Sequence, residues 1–476
     1  MSVVAAAVYS AHSLLRYATF RAGTYDLVIF DQAVRSYSRF RLPVAIVKGV
    51  HNGFGPDFSV LGDHWSPILA VLAPLYWVHD GPETLLVAQA VLLAAAVPFL
   101  WLFTARTLGR RAAYCVSAGY ALSWPVAEAV GFDFHEAAFA PVLTAVTFER
   151  LSALRAGSGR WWQVVLPALL LLGVKEDMGL LVAGFGLFMM VRRQGEGRFG
   201  IAFFVGGLAA AAVSTKVLIP YFGGRGDYYW AYNNFGPTMP AAARYAITHP
   251  WEVARTFVSP GVKLQTLLWL LAPAAFASLA SPYALSVLPL LAVRMLSDGT
   301  FPAWWGLSAH YNVFLVVPLL CAGVDGVARL AKRRHRVVHL WAGAVVAIGV
   351  AALPFFSFKS LVSERYWAGA GRMDAAAAAA AQIPDGALVE SSSNIGARLT
   401  GRTRVLLLDR VPRWAPWVVA DVREQRFQFC DVREQQARVE YLLKNGYRTT
   451  FERDGYLVLH RPGPELRPAA VASPHC

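Results

Sequence analysis

The chain has 476 residues, of which 56% are apolar and only 16% charged, with a mean hydropathy of +0.43. A soluble domain would carry about a quarter charged residues, so the composition excludes an ordinary soluble enzyme and points to a polytopic membrane protein. The net charge of +14 does not argue for a nucleic-acid partner, because the basic residues cluster beside apolar runs. Arg106, Arg110 and Arg111 form one such cluster, Arg192 and Arg193 a second, and Lys332, Arg333, Arg334 and Arg336 a third, the pattern of cytoplasmic loops.

Residues 1–15 are apolar but short of the roughly 20 needed to span. They lack the basic flank and cleavage site of a signal peptide and read either as a tilted first helix extending to about Phe20 or, the favoured reading, as a first transmembrane helix missing its beginning. A polar first loop, 16–66, carries Tyr25-Asp26-Leu27-Val28-Ile29-Phe30-Asp31-Gln32-Ala33-Val34. In a helix, Leu27, Phe30 and Val34 form an apolar stripe suited to lying along a membrane surface. The loop ends in Gly62-Asp63-His64-Trp65-Ser66-Pro67, and the run 68–78 is too short to cross, so it reads as re-entrant or interfacial.

Spans follow at 84–104, 112–130 and 137–153, the last two separated by Gly131-Phe132-Asp133-Phe134-His135-Glu136. The runs 161–174 and 178–191 flank Lys175-Glu176-Asp177, and 199–221 leads to a long loop, 222–262, whose Tyr228-Tyr229-Trp230 reads as an aromatic belt. Further spans at 264–280, 282–296, 311–328 and 337–356 complete a transmembrane domain over 1–356, about ten to eleven spans in all. Residues 357–476 read as a soluble α/β domain. It has an Ala-rich helix (374–382), short apolar strands (387–389, 405–408, 417–422), a helix near 435–444, and a hairpin turning at Asp454-Gly455. Cys115 and Cys321 read as core residues; Cys430 and Cys476 lie in the tail with no spacing rule that pairs them.

If Arg106–Arg111 is cytoplasmic, alternation also places Arg155–Arg160, Arg192–Arg198 and Lys332–Arg336 there. Asp26, Asp63, Asp133, Lys175–Asp177, Asp227 and His310 then gather on the extracytoplasmic face, with the tail. Ionisable groups at a membrane edge are costly unless paired, hydrated or bound to a cation. Asp63, His135 and Glu136 are candidate ligands for a divalent cation, magnesium or manganese. A carboxylate such as Asp26 or Asp133 suits a general base. Lys175 suits a phosphate. Asp31, His64, Glu176, Asp177 and His310 are candidate substrate-binding residues, although Asp31 can equally pair with Arg35 at i, i+4.

Taken with Ser36-Tyr37-Ser38-Arg39-Phe40 and Ile383-Pro384-Asp385-Gly386-Ala387, these motifs resemble a bacterial membrane family, domain of unknown function 2079. The Ala, Arg and Gly content resembles that of actinobacterial proteins. The family is similar to the C-type (GT-C) glycosyltransferases, multi-spanning enzymes that take sugars from polyprenyl-phosphate donors outside the cytoplasmic membrane. The resemblance implies a GT-C-like helical fold, an acidic catalytic residue in the first external loop, matched by Asp26, and acidic groups in the second, matched by Asp133. It implies transfer to a cell-envelope acceptor. Two other readings stay open: a transporter or flippase for a lipid-linked solute, which calls for ionisable residues in mid-span, and a non-catalytic envelope protein that binds a partner through its tail.

Overall fold

The computed structural model describes residues 1–192, 196–331, 334–367, 371–463 and 468–471; Arg193, Lys332, Arg333 and Cys476, named above, lie outside these. Helix α1 (Ser2–Ala18) is followed by α2 (Tyr25–Ser38) and α3 (Ile46–His51). Next come α4 (Pro82–Leu108), α5 (Arg110–Leu122), α6 (Trp124–Gly131) and α7 (Phe139–Arg155). Then follow α8 (Trp161–Leu171), α9 (Met178–Arg192) and α10 (Gly197–Val213). The later long helices are Val313–Ala331 and His335–Ala352.

Among the described residues, five helical stretches are long and apolar enough to cross a bilayer: Pro82–Leu108, Glu136–Arg155, Gly197–Tyr221, Val313–Ala331 and His335–Phe355. The other expected spans are shorter or broken. The run 112–130 is two helices, because Ser123 is extended and Pro125, in the first turn of α6, has no N–H to carry a ladder through the break. The run 264–280 leaves helix at Leu271 and passes through left-handed Ala275 and Phe276. Irregular backbone is tolerated at such depth when protein groups satisfy it. Here Trp341 Nε1 donates to the Ala274 carbonyl at 2.9 Å and Trp124 Nε1 to that of Trp269 at 2.7 Å.

Helices α9 and α10 meet through glycines. A Cβ on Gly179 would lie 2.4 Å from the Gly207 oxygen, and one on Gly207 2.4 Å from the Gly179 oxygen. Without side chains the two backbones approach closely, the usual device where lipid supplies no hydrophobic drive.

Helix α2 is buried on both faces. Leu27, Phe30 and Val34 pack into the helical bundle with Leu69, Leu72 and Tyr76. Val28, Ile29 and Ala33 pack against Ala375, Ala379, Val389 and Val405 of the tail. The stripe expected to lie on lipid therefore faces protein. Its cover is the 3-10 run Pro67–Trp77, which folds back along α2; this is the run that read as re-entrant.

The tail forms a five-stranded sheet in the order β2-β1-β3-β5-β4. Strands β1 (Leu388–Ser391), β2 (Arg404–Leu407) and β3 (Trp417–Asp421) are parallel; β5 (Tyr456–His460) runs antiparallel to β3 and to β4 (Arg448–Arg453). The β4–β5 hairpin turns at Asp454-Gly455, with φ of 48° and 79°, the left-handed pair that a two-residue turn requires. Helices Met373–Ala381 and Val432–Lys444 flank the sheet. Cys115 and Cys321 are free thiols.

Candidate functional site

Several chain segments meet at one end of the bundle. Asp26 sits in the first turn of α2, where the positive end of the helix dipole favours a carboxylate. His135 and Glu136 head α7, Lys175 to Asp177 connect α8 to α9, and His310 precedes the helix Val313–Ala331. His135 Nε2 lies 3.8 Å from Asp26 Oδ1 and its Nδ1 lies 3.3 Å from Glu136 Oε2. Glu136 Oε1 faces Lys175 Nζ at 3.3 Å. Next along the chain from Lys175, Glu176 accepts from the Trp65 N–H at 3.2 Å and lies 2.9 Å from His64 Nδ1. His64 Nε2 is 3.9 Å from Asp63, whose other oxygen holds Lys48 Nζ at 2.9 Å and the Tyr229 hydroxyl at 2.5 Å.

Taken from end to end, Asp26, His135, Glu136, Lys175, Glu176, His64, Asp63 and Lys48 alternate in sign. Alternation is what allows so many charges inside protein, since each ion has an opposite neighbour to offset its lost hydration. Burial alone would depress the His135 imidazolium, but Asp26 and Glu136 outweigh it and hold its pKa at about 9. Burial likewise opposes the charge on His64, and Glu176 overturns this, raising its pKa. His310 stacks on His135 with ring centroids 3.5 Å apart. Burial, then the positive His135 and Lys175, push it well below the usual histidine range. The pair is thus one charged and one neutral imidazole face to face.

Asp133 accepts from the Gly23 N–H at 2.9 Å and faces Arg16 at 3.7 Å. Burial pushes its carboxyl up to about 6, against the pull of Arg16. Asp177 pairs with Arg294 at 3.4 Å. Several buried polar atoms here have no hydrogen-bond partner among the described residues: His135 Nε2, both ring nitrogens of His310, Asp133 Oδ1 and Asp177 Oδ1. Asp26 is the open member of the series, its side chain 32% exposed.

The structure therefore brings together Asp26, Asp63, His64, Asp133, His135, Glu136, Lys175, Glu176, Asp177 and His310. Asp31 stands apart. It is buried in a two-point pair with Arg35 (2.5 and 3.0 Å) and accepts from Tyr76 and Thr400 at 2.8 Å each, which uses its lone pairs in holding α2 to the tail. The expected metal ligands do not converge either. Asp63 is held by Lys48 and Glu136 by Lys175, and among the described residues no group of three or more His, Cys, Asp or Glu is arranged to hold an ion. Arg16, Lys48, Tyr229 and Arg294 were not anticipated. Lys48 stands alone in the apolar run Ala45-Ile46-Val47-Lys48-Gly49-Val50, the signal of a buried cation that needs a partner. Tyr229, expected in an aromatic belt, instead reaches back to Asp63.

Residues 16–458 match the family described as predicted membrane protein (DUF2079). The chain belongs to that family. Among solved structures, this DUF2079 protein is similar to ArnT from Cupriavidus metallidurans bound to undecaprenyl phosphate. The TM-score is 0.53 at 11% identity, covering 97% of this chain and 99% of ArnT. The Archaeoglobus fulgidus oligosaccharyltransferase, in complex with zinc and sulfate, aligns at a TM-score of 0.43 and 10% identity, over 88% of this chain and 68% of that one. No curated protein matches the sequence. The likeness to ArnT is one of fold, a helical bundle of several apolar helices followed by a small C-terminal sheet.

Of the basic residues expected at the opposite face, Arg155 lies at the far end of α7, the helix that His135 and Glu136 head. Arg106, at the end of α4, pairs with Glu149 at 2.9 Å, and Arg155, at the end of α7, pairs with Glu196 at 2.5 Å. The acidic and histidine cluster sits at the starts of α2 and α7.

Proposed function

We propose that the protein is a membrane glycosyltransferase that takes a sugar from a polyprenyl-phosphate donor on the extracytoplasmic face and passes it to a cell-envelope acceptor. Asp26 is the general base. It removes the acceptor hydroxyl proton as that oxygen bonds to the anomeric carbon and the bond from that carbon to the phosphate oxygen breaks, releasing polyprenyl phosphate. Positive charge from His135, Lys175 and Arg16 offsets the charge gathering on the departing phosphate. Asp133 orients the base through the shared Arg16 and His135 environment, and His64, Glu176, Asp177 and His310 shape the walls.

The observation that carries this reading is one half-open carboxylate at the end of an otherwise buried chain of alternating charges, beside imidazole and carboxylate atoms with unused hydrogen-bonding capacity. A ligand rich in hydroxyl and phosphate oxygens matches that capacity. The likeness in fold to ArnT adds to it by analogy only. The three candidate metal ligands are otherwise engaged: Asp63 with Lys48, Glu136 with Lys175, and His135 between Asp26 and Glu136.

Photo-crosslinking tests the proposal. A polyprenyl-phosphate analogue is bound to wild type and to the Asp26→Ala/Asp133→Ala protein, and the labels are mapped by mass spectrometry. Labels beside Asp26, Asp133 and Lys175 are expected, and the double variant should lose them. Labels scattered over lipid-facing helices and unchanged by the substitutions would overturn the proposal in favour of transport or scaffolding.

A further inference from the structure

The loop that follows the stretch Gly197–Tyr221 contains two short helices, Met239–Thr248 and Pro250–Val258, and both turn apolar side chains outward. In the first, Met239, Ala243 and Ile247 stand at i, i+4 and i+8 and all are exposed, Ile247 at 80%. In the second, Trp251, Ala254 and Val258 stand at i, i+3 and i+7 and are likewise exposed, Trp251 at 77%. None of the residues of this second helix is buried. Such spacings put each set on one helix face. A surface helix in water turns that stripe to the core, whereas here it is the outer face. Arg244 and Arg255, also exposed, lie beside the two stripes.

The attachment of the pair to the bundle fixes its depth. The second helix leads into the helix Gly261–Leu271, which opens the run expected to span over 264–280. Its Leu264 and Leu268, one turn apart, are about half exposed. Lys263 is buried, and its Nζ donates to the Thr256 carbonyl at 3.0 Å, to that of Met295 at 2.7 Å and to that of Ser297 at 2.8 Å. The last two carbonyls close the helix Leu288–Leu296, where the negative end of the dipole favours a cation. One ammonium thus clamps the second helix across the ends of two bundle helices. It does so at the end of the bundle where Arg294 meets Asp177 of the candidate site. An outward apolar stripe that adjoins the exposed leucines of a membrane segment, with arginines beside it, matches a bilayer interface. There apolar side chains enter the acyl boundary and guanidinium groups reach the headgroups.

We propose that Met239–Thr248 and Pro250–Val258 lie flat in the bilayer, in the leaflet on the side of the candidate site. Ile247, Trp251, Ala254 and Val258 sit among the acyl chains just below the headgroups, and Arg244 and Arg255 meet the headgroups. The occupant of this face is bulk phospholipid, and this part of the 222–262 segment is membrane-bound instead of a free loop. Ser297, held by the same lysine, opens the segment that ends at His310, so the bilayer contact also steadies one wall of the candidate site. This surface is separate from Asp26 and does not depend on the transferase reading.

The test uses the full chain in nanodiscs of phosphatidylcholine and phosphatidylglycerol, with p-benzoylphenylalanine replacing Ile247 or Trp251, one at a time. Both positions are largely exposed, so each substituted protein should melt with wild type. After irradiation, adducts are read by mass spectrometry of the intact chain and its peptides. Leu268 serves as the reference within the membrane segment and Glu440, exposed on the tail helix Val432–Lys444, as the reference in water. Phospholipid adducts are expected at 247 and 251 in the yield found at 268, with that yield lost at 440. Lipid captured at 268 but not at 247 and 251 overturns the proposal. So does capture of a second copy of the chain at 247 or 251 in place of lipid, which makes the face a dimer interface. The nanodiscs hold no polyprenyl lipid, so either result stands whatever becomes of the transferase reading.

Discussion

His135 Nε2 lies 3.8 Å from Asp26 Oδ1, while Glu136 holds the other ring nitrogen at 3.3 Å. One imidazolium thus stands between an open carboxylate and a buried one. Its pKa of about 9 exceeds the ordinary value near 6.5, so the native state keeps a proton that the unfolded chain sheds. The resulting stability is fully present below pH 6.5 and is lost as pH rises through 9, roughly 3 kcal/mol in all. Asp133, raised to about 6, acts in the same direction at lower pH, its contribution present below about 4 and lost through 6. Unfolding of the detergent-solubilised protein from pH 6 to 9.5 should reveal the upper decline. His135→Gln should flatten it.

Asp26→Asn removes the base and keeps the shape. Transfer from a polyprenyl-phosphate sugar should fall by about 10²- to 10⁴-fold, the usual worth of a positioned general base. The melting temperature should fall only modestly, because the Asp26 side chain is partly exposed and Glu136 remains beside His135 to offset its charge. Full turnover in purified Asp26→Asn protein would remove Asp26 from the mechanism.

Lys48 and Asp63 are both buried and meet at 2.9 Å. Removing one partner leaves the other charge uncompensated, at a cost of about 3–5 kcal/mol. Lys48→Met and Asp63→Asn should each lower the unfolding midpoint sharply, and the double variant should recover most of the loss. Additive losses in the double variant would refute the coupling.

Asp31 gives the contrasting case. Asp31→Asn frees Arg35 from its buried pair and weakens the hydrogen bond to Thr400, so the tail should become protease-sensitive. Protein that remains folded should keep its turnover. Limited proteolysis paired with an activity assay separates this behaviour from that of Asp26→Asn.

The helical membrane fold was legible because a bilayer imposes its demands on short stretches: apolar runs, arginine clusters and polar loops are local. The site motifs were legible for a related reason, that acids and histidines beside a span are expensive without a purpose. Pairings between distant segments were not. The Asp31–Arg35 spacing could be read, but its burial depends on Thr400, 369 residues away. Lys48 gained meaning only when Asp63 and Tyr229 were seen around it. The broken spans carried a readable signal in Ser123-Trp124-Pro125, which a search for long apolar runs passes over.

The two-sided burial of α2 has a consequence for how the molecule is made. Thr24 donates to the carbonyl of Ser393 at 2.7 Å, and its hydroxyl accepts from Gly396 at 2.9 Å, so α2 is docked by residues synthesised about 370 positions later. At roughly 5–20 residues per second, translation leaves that face uncovered for about 20–70 seconds. During that interval Val28, Ile29 and Ala33 are a sticky strip on a nascent chain. A ribosome that stalls or stops early, before β1 and β2, releases a protein whose spans are in place but whose strip is never sheltered. Such a product is a ready substrate for membrane proteases, which makes the last hundred residues a checkpoint for the first fifty.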